Sequence, residues 1–95
     1  MFRKEKLKGQ KACVLGLGKS GRAVAALLAA NGFEVLISEE AAISHVDSFR
    51  LPAGVSVETG GHTERVFECG FWIKSPGIFP KNPILLEAKK RGIPV

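Results

Sequence analysis

Ala12-Cys13-Val14-Leu15-Gly16-Leu17-Gly18-Lys19-Ser20-Gly21 is the stretch on which the fold of this chain turns. Four apolar residues run unbroken from Ala12 to Leu15 and stop at Gly16, the pattern of a short strand buried on both faces. Lys19 to Asn31 follows with Ala23, Val24, Leu27, Leu28 and Ala30 at helical spacing, dense in alanine and free of proline. Between strand and helix lies G-x-G-x-x-G, formed by Gly16, Gly18 and Gly21. Alone that motif is weak; directly after a buried strand and before a helix it carries weight. Gly16 permits the tight turn, Gly18 lets backbone approach a phosphate, and Gly21 lets the helix pack closely. The amides of Gly18, Lys19, Ser20 and Gly21 then face an anion at the positive end of the helix dipole. Lys19 adds charge and Ser20 a hydroxyl. Close strand–helix packing is the alternative reason for the glycines.

Gly18-Lys19-Ser20 also imitates the end of an ATP-binding P-loop. The first glycine of that pattern would fall at position 13, which is Cys13, and the loop is too short to wrap a phosphate. ATP binding at this loop is therefore excluded.

Outward from this unit the same alternation continues. Asn31-Gly32 supplies a left-handed stop, and Phe33 to Ser38 reads as a second strand. Ala41 to Arg50 is a weaker helical stretch ended by Pro52, and Val55 to Thr59 alternates like a strand before Gly60-Gly61. His62 to Glu68 suits a short helix and Phe71 to Lys74 a fourth strand. Asn82 and Pro83 open a last helix as cap and first-turn residue, Arg91-Gly92 closes it, and Ile93-Pro94-Val95 begins a fifth strand. Such alternation predicts an α/β fold: a parallel, Rossmann-like sheet of about five strands in the order 3-2-1-4-5, with helices on both faces. The expected division is a basic tail over residues 1–10 and one domain over residues 11–95.

The chain has 95 residues, 45% of them apolar, and a net charge of +5. Residues 1–11 hold five basic residues and one acidic, whereas residues 12–95 hold nine basic and eight acidic. The folded body is nearly neutral, which argues against a nucleic-acid face and for a solubilising tail. No apolar run approaches the roughly 20 residues of a membrane span, and the start lacks a secretory apolar core. Two cysteines make no disulfide framework; Cys13 and Cys69 are expected as buried packing residues in a cytoplasmic, reduced protein. Ending at Val95 inside a strand pattern, the chain reads as a piece of a longer protein.

Ser38-Glu39-Glu40 ends the second strand. In dinucleotide-binding folds an acid about 20 residues past the first glycine accepts hydrogen bonds from ribose. Glu39 lies 23 positions after Gly16, with Glu40 competing beside it, and a helix cap at Ala41 is the alternative role. Ser75-Pro76-Gly77 follows the fourth strand and would face the glycine loop across the switch point of the sheet, or serve as a plain turn. His62 has no second ligand in view and suits a turn or cap, so no metal site is expected. There is no Ser/His/Asp set and no carboxylate pair spaced for acid–base work, so no catalytic residue is assigned.

Gly16-Leu17-Gly18-Lys19-Ser20-Gly21, Gly60-Gly61-His62, Lys74-Ser75-Pro76-Gly77-Ile78, Asn82-Pro83 and Gly92-Ile93-Pro94-Val95, in that order, resemble the Mur ligases. The resemblance runs from about residue 8 to residue 95 and is nearest to the member that adds D-glutamate in peptidoglycan synthesis. It implies a Rossmann-like first domain that binds the UDP part of UDP-N-acetylmuramoyl-L-alanine. ATP with Mg2+, and the amino acid, would bind two further domains. It also implies that this domain alone holds no cofactor and is inactive. Carried over by position, Gly16, Gly18, Lys19, Ser20 and Gly21 would hold the diphosphate. Ser38, Glu39 and Glu40 would read the uracil, and Ser75, Pro76 and Gly77 would close over the nucleotide. Family members often carry aspartate where Ser38 stands. An NAD- or FAD-binding module of a dehydrogenase or regulatory protein is the alternative on the glycines and Glu39.

Overall fold

Alternation of apolar strands with helices produces a parallel sheet in the computed structural model, which describes residues 11–74 and 82–95. The strands are β1 (Lys11–Leu15), β2 (Glu34–Ser38), β3 (Val55–Glu58) and β4 (Phe71–Lys74), in the order β3-β2-β1-β4. All three pairings are parallel, with Val14 opposite Ile37 and Ile73, and Ile37 opposite Val57. The tail over residues 1–10 and the Ser75-Pro76-Gly77 loop lie outside the described residues.

Among the described residues two α-helices flank the sheet: α1 (Lys19–Ala30) and α2 (Pro83–Lys90). Period-two alternation along β1 divides its side chains between two cores. Ala12 and Val14 join Leu17, Ala25, Leu28, Val35 and Ile37 under α1. Cys13 and Leu15 join Leu36, Val66, Cys69, Trp72, Leu85 and Ala88 under α2. Both cysteines are buried and free. A hydrogen bond with Cys69, together with burial, pushes the Cys13 thiol up, so it stays protonated and inert. Trp72 satisfies its buried indole N–H on the Val66 carbonyl at 2.7 Å.

The ends of both helices follow the sequence. Gly32 takes φ 89° after α1, where its N–H and that of Phe33 cap the Ala29 and Leu28 carbonyls. Asn82 Oδ1 accepts from the Ile84 amide at 3.0 Å, with Pro83 in the first turn of α2.

Two expectations change. Between β2 and β3 the described structure holds only a 3-10 turn, Val46–Phe49, in place of a helix from Ala41 to Arg50. The Ala41 amide donates to Glu39 and its carbonyl accepts from the Gly60 amide, so both backbone groups serve outside a helix. The described residues form four strands and not five. Ile93-Pro94-Val95 passes beside β4, where the Pro94 carbonyl accepts from the Trp72 amide at 2.9 Å, while the Ile93 amide turns back to the Ala88 carbonyl of α2. Pro94 has no N–H with which to continue the ladder.

Candidate functional site

The carboxyl ends of β1, β2 and β3 lie side by side, with Leu15 in register with Ser38 and Ser38 with Glu58. Backbone bonds tie the loops that leave them. The Gly16 amide donates to the Ser38 carbonyl and the Glu39 amide to the Glu58 carbonyl, each at 2.9 Å. The Gly61 and Gly60 amides donate to the Glu39 and Ala41 carbonyls at 3.2 and 3.0 Å. Open parallel sheets bind ligands at this edge, beside the strand where the order reverses.

Three residues, Gly16 to Gly18, separate β1 from α1. Gly16 takes φ 113°, a conformation that side chains disfavour. A Cβ on Gly21 would overlap the Gly16 carbonyl oxygen and touch Val14. Gly18 is different: its φ is −72°, and a Cβ there would meet no atom of the described residues within 4 Å. Neither strain nor packing among the described residues demands glycine at that position, which leaves room for a ligand's close approach. Gly18 caps α1 without a side-chain bond, and the first intrahelical bond runs from the Arg22 amide to its carbonyl. The amides of Lys19, Ser20 and Gly21 in the first turn precede that ladder and so have no intrahelical acceptor. Lys19 and Ser20 are exposed beside them. Arg22 lays its guanidinium 4.1 Å from the Phe49 ring centre, with a buried Nε that has no hydrogen-bond partner among the described residues.

Glu39 braces this loop. Its Oε1 accepts from the Leu17 amide at 2.8 Å and its Oε2 from the Ala41 amide at 2.9 Å. Burial alone would raise its pKa, but these amides and the nearby His62 outweigh it and hold the carboxyl below its ordinary value. Glu40 beside it is exposed.

Ser38 is fully buried and points into a polar cluster. Its Oγ lies 2.5 Å from Glu58 Oε2 and 2.6 Å from His62 Nδ1. Glu58 also accepts from the Thr63 amide at 3.1 Å and the Thr63 hydroxyl at 2.6 Å. Burial works to raise the Glu58 pKa, and the bonds from Ser38 and Thr63 reverse it, leaving a lowered value and an ionised carboxylate.

The sequence-derived residues thus divide. Gly16, Gly18, Lys19, Ser20, Gly21, Ser38, Glu39 and Glu40 gather at one edge of the sheet, while Ser75, Pro76 and Gly77 lie outside the described residues. Of the gathered set, Glu39 is committed to loop amides and Ser38 to Glu58 and His62. Glu58, Thr63 and the bonded role of His62 were missed. The available signal was the acid closing the alternating run Val55-Ser56-Val57-Glu58, which only the strand register brings beside Ser38. Among the described residues no three His, Cys, Asp or Glu side chains converge on a metal position. No helix among them is long and apolar enough to cross a membrane.

A family model described as MurD N-terminal domain matches residues 11–84. Among similar proteins, one from Elusimicrobium minutum is 50% identical over 95 residues, covering 100% of this chain and 21% of that protein. One from Chlorobaculum tepidum is 48% identical over 92 residues, covering 96% and 20%, and one from Thermosipho melanesiensis is 39% identical over 83 residues, covering 86% and 20%. All three are named UDP-N-acetylmuramoylalanine--D-glutamate ligase. The chain spans about a fifth of the length of the curated relatives it matches. With the glycine loop, the sheet order and a family match over most of its length, the chain belongs to the MurD N-terminal domain family.

Proposed function

We propose that this chain is the nucleotide-holding part of a ligase that joins D-glutamate to UDP-N-acetylmuramoyl-L-alanine, and that it binds the UDP half of that substrate. The observation that carries the reading is the Gly16–Gly21 loop. It presents uncapped first-turn amides at the carboxyl edge of the sheet, in a chain whose relatives are named for a UDP-linked substrate. Gly16, Gly18, Lys19, Ser20 and Gly21 hold the diphosphate through backbone amides, the Lys19 charge and the Ser20 hydroxyl. Ser38, Glu39 and Glu40 form the edge at which the nucleoside lies. Ser75, Pro76 and Gly77 follow β4 and close over it.

ATP and Mg2+ serve the whole enzyme from outside this domain, where ATP activates the substrate carboxylate for attack by the D-glutamate amine. The residues here do not suit ATP, because Cys13, which stands where a P-loop needs its first glycine, is a buried residue of β1. The domain on its own is a binder without ligase activity, in a cytoplasmic protein that engages neither nucleic acid nor membrane. Binding by the isolated chain is weak, since one domain offers only part of the converging contacts.

An NAD- or FAD-binding role shares the glycine loop. It also wants a carboxylate oriented toward ribose at the end of β2; both Glu39 oxygens already accept from loop amides, and Glu40 beside it is exposed with no partner among the described residues to orient it. Thermal unfolding with UDP, NAD and FAD side by side separates the two. Ligand at tenfold over Kd stabilises by about 1.4 kcal/mol, or roughly 6–11 °C for a domain of this size. UDP produces that rise and the dinucleotides do not; a rise with NAD or FAD alone overturns the proposal.

A further inference from the structure

We propose that His62 reads the nucleoside through Nε2, which accepts a hydrogen bond from a ribose hydroxyl or base imide N–H, and that Ser38 and Glu58 are positioning residues that fix its tautomer. This rests on the nucleotide reading above.

The proton positions follow from the donor inventory. Ionised Glu58 only accepts, so the single Ser38 hydroxyl hydrogen goes to Glu58 Oε2 across 2.5 Å. Ser38 Oγ is then left as an acceptor toward His62, so Nδ1 at 2.6 Å must carry the proton. In the neutral ring this makes Nε2 an acceptor. Nε2 lies on the side of the ring away from Ser38, has no hydrogen-bond partner among the described residues, and belongs to a half-buried side chain. The backbone holds this arrangement in place, because Gly60 and Gly61, just before His62, bond to the Ala41 and Glu39 carbonyls.

The other acceptors at this edge are less suited. Ser38 is buried, Glu39 is committed to the Leu17 and Ala41 amides, and the side chain of Glu40 is exposed with no hydrogen-bond partner among the described residues to orient it. A preordered acceptor loses less freedom on binding than a mobile one. The acceptor that related folds supply from a carboxylate at the end of β2 is thus supplied here by an imidazole, with the carboxylate moved behind it onto β3.

The test combines 15N NMR of the imidazole, with the ring neutral, and titrations of UDP and inorganic pyrophosphate. The wild-type chain shows the Nδ1–H tautomer. His62→Asn keeps an amide where Nδ1 was but has no atom in place of Nε2. It binds UDP about tenfold more weakly, with pyrophosphate unchanged, as expected for one lost hydrogen bond. His62→Gln restores an acceptor near the Nε2 position and recovers part of the loss. Ser38→Ala releases the tautomer and lowers UDP affinity without affecting pyrophosphate, whereas Glu34→Gln, at the exposed amino end of β2, leaves both ligands unchanged. Weaker binding of 2′-deoxy-UDP or of N3-methyl-UDP identifies the donor. An Nε2–H tautomer, a His62→Asn chain that binds UDP like the wild type, or full affinity for both analogues overturns the assignment while leaving the nucleotide reading intact. A wild-type chain that binds no UDP removes both.

Discussion

Replacing Gly21 by alanine should destabilise the chain even though the position is helical. In a helix interior that exchange ordinarily stabilises by about 0.5–1 kcal/mol. Here the new Cβ would overlap the Gly16 carbonyl oxygen and stand 3.3 Å from its carbon. The obstacle is backbone, fixed by the Gly16 amide bond to Ser38 and by φ 113°, so it cannot swing aside as a flexible side chain would. Overpacking of this kind costs roughly 1–3 kcal/mol. The balance is a net loss of about 1–2 kcal/mol, or a fall in Tm of roughly 4–16 °C. Gly18→Ala is the matched control, because its Cβ meets no atom of the described residues and φ is −72°. Alanine is the poorer cap by about 0.5–1 kcal/mol, but it lowers unfolded-chain entropy by about 0.4–1 kcal/mol. The two effects nearly cancel, so Gly18→Ala melts like the wild type while losing nucleotide affinity. Circular dichroism at 222 nm and fluorescence of Trp72, the one tryptophan, follow both variants. A Gly21→Ala chain that melts at or above the wild-type temperature would refute the close loop–helix approach.

Other outcomes follow from the same geometry. Glu39→Gln places an amide N–H against a backbone N–H at either Leu17 or Ala41, costing about 1–3 kcal/mol and weakening nucleotide binding by loosening the loop; urea unfolding and a UDP titration check the two effects. Glu39 and Glu58 both have lowered pKa values in the fold. Their stabilisation is therefore complete above the ordinary glutamate value near 4.3 and is lost as pH falls through the lower folded values. Urea midpoints between pH 7 and 3 should fall for the wild type and fall less for Glu58→Gln measured against its own pH 7 value. Asn82→Ala removes the cap on the Ile84 amide and costs about 1 kcal/mol, read as a lower urea midpoint at unchanged slope.

The β1–loop–α1 unit was legible because its signals are local: an apolar run, glycines at fixed offsets and an alanine-rich helix with a glycine stop. The strand order followed from alternation and the handedness of crossovers. What escaped depends on contacts distant in sequence. Ala41 to Arg50 has helical composition, but Ala41 is bonded to Glu39 and Gly60, a competition that propensity does not register. Glu39 had the spacing of a ribose acceptor, yet the structure commits it to the amide of Leu17, 22 residues away. His62 looked like a turn residue because its partner Ser38 is 24 residues distant and Glu58 enters only through the β2–β3 register.

The most direct test of the account is a two-dimensional 15N–1H titration of this chain with UDP. The account predicts saturable shifts concentrated at Gly16, Gly18, Lys19, Ser20 and Gly21, extending to Glu39 and His62. The Leu85–Ala88 face on the opposite side of the sheet should stay unmoved. A spectrum indifferent to UDP, or shifts clustered away from the glycine loop, would contradict it.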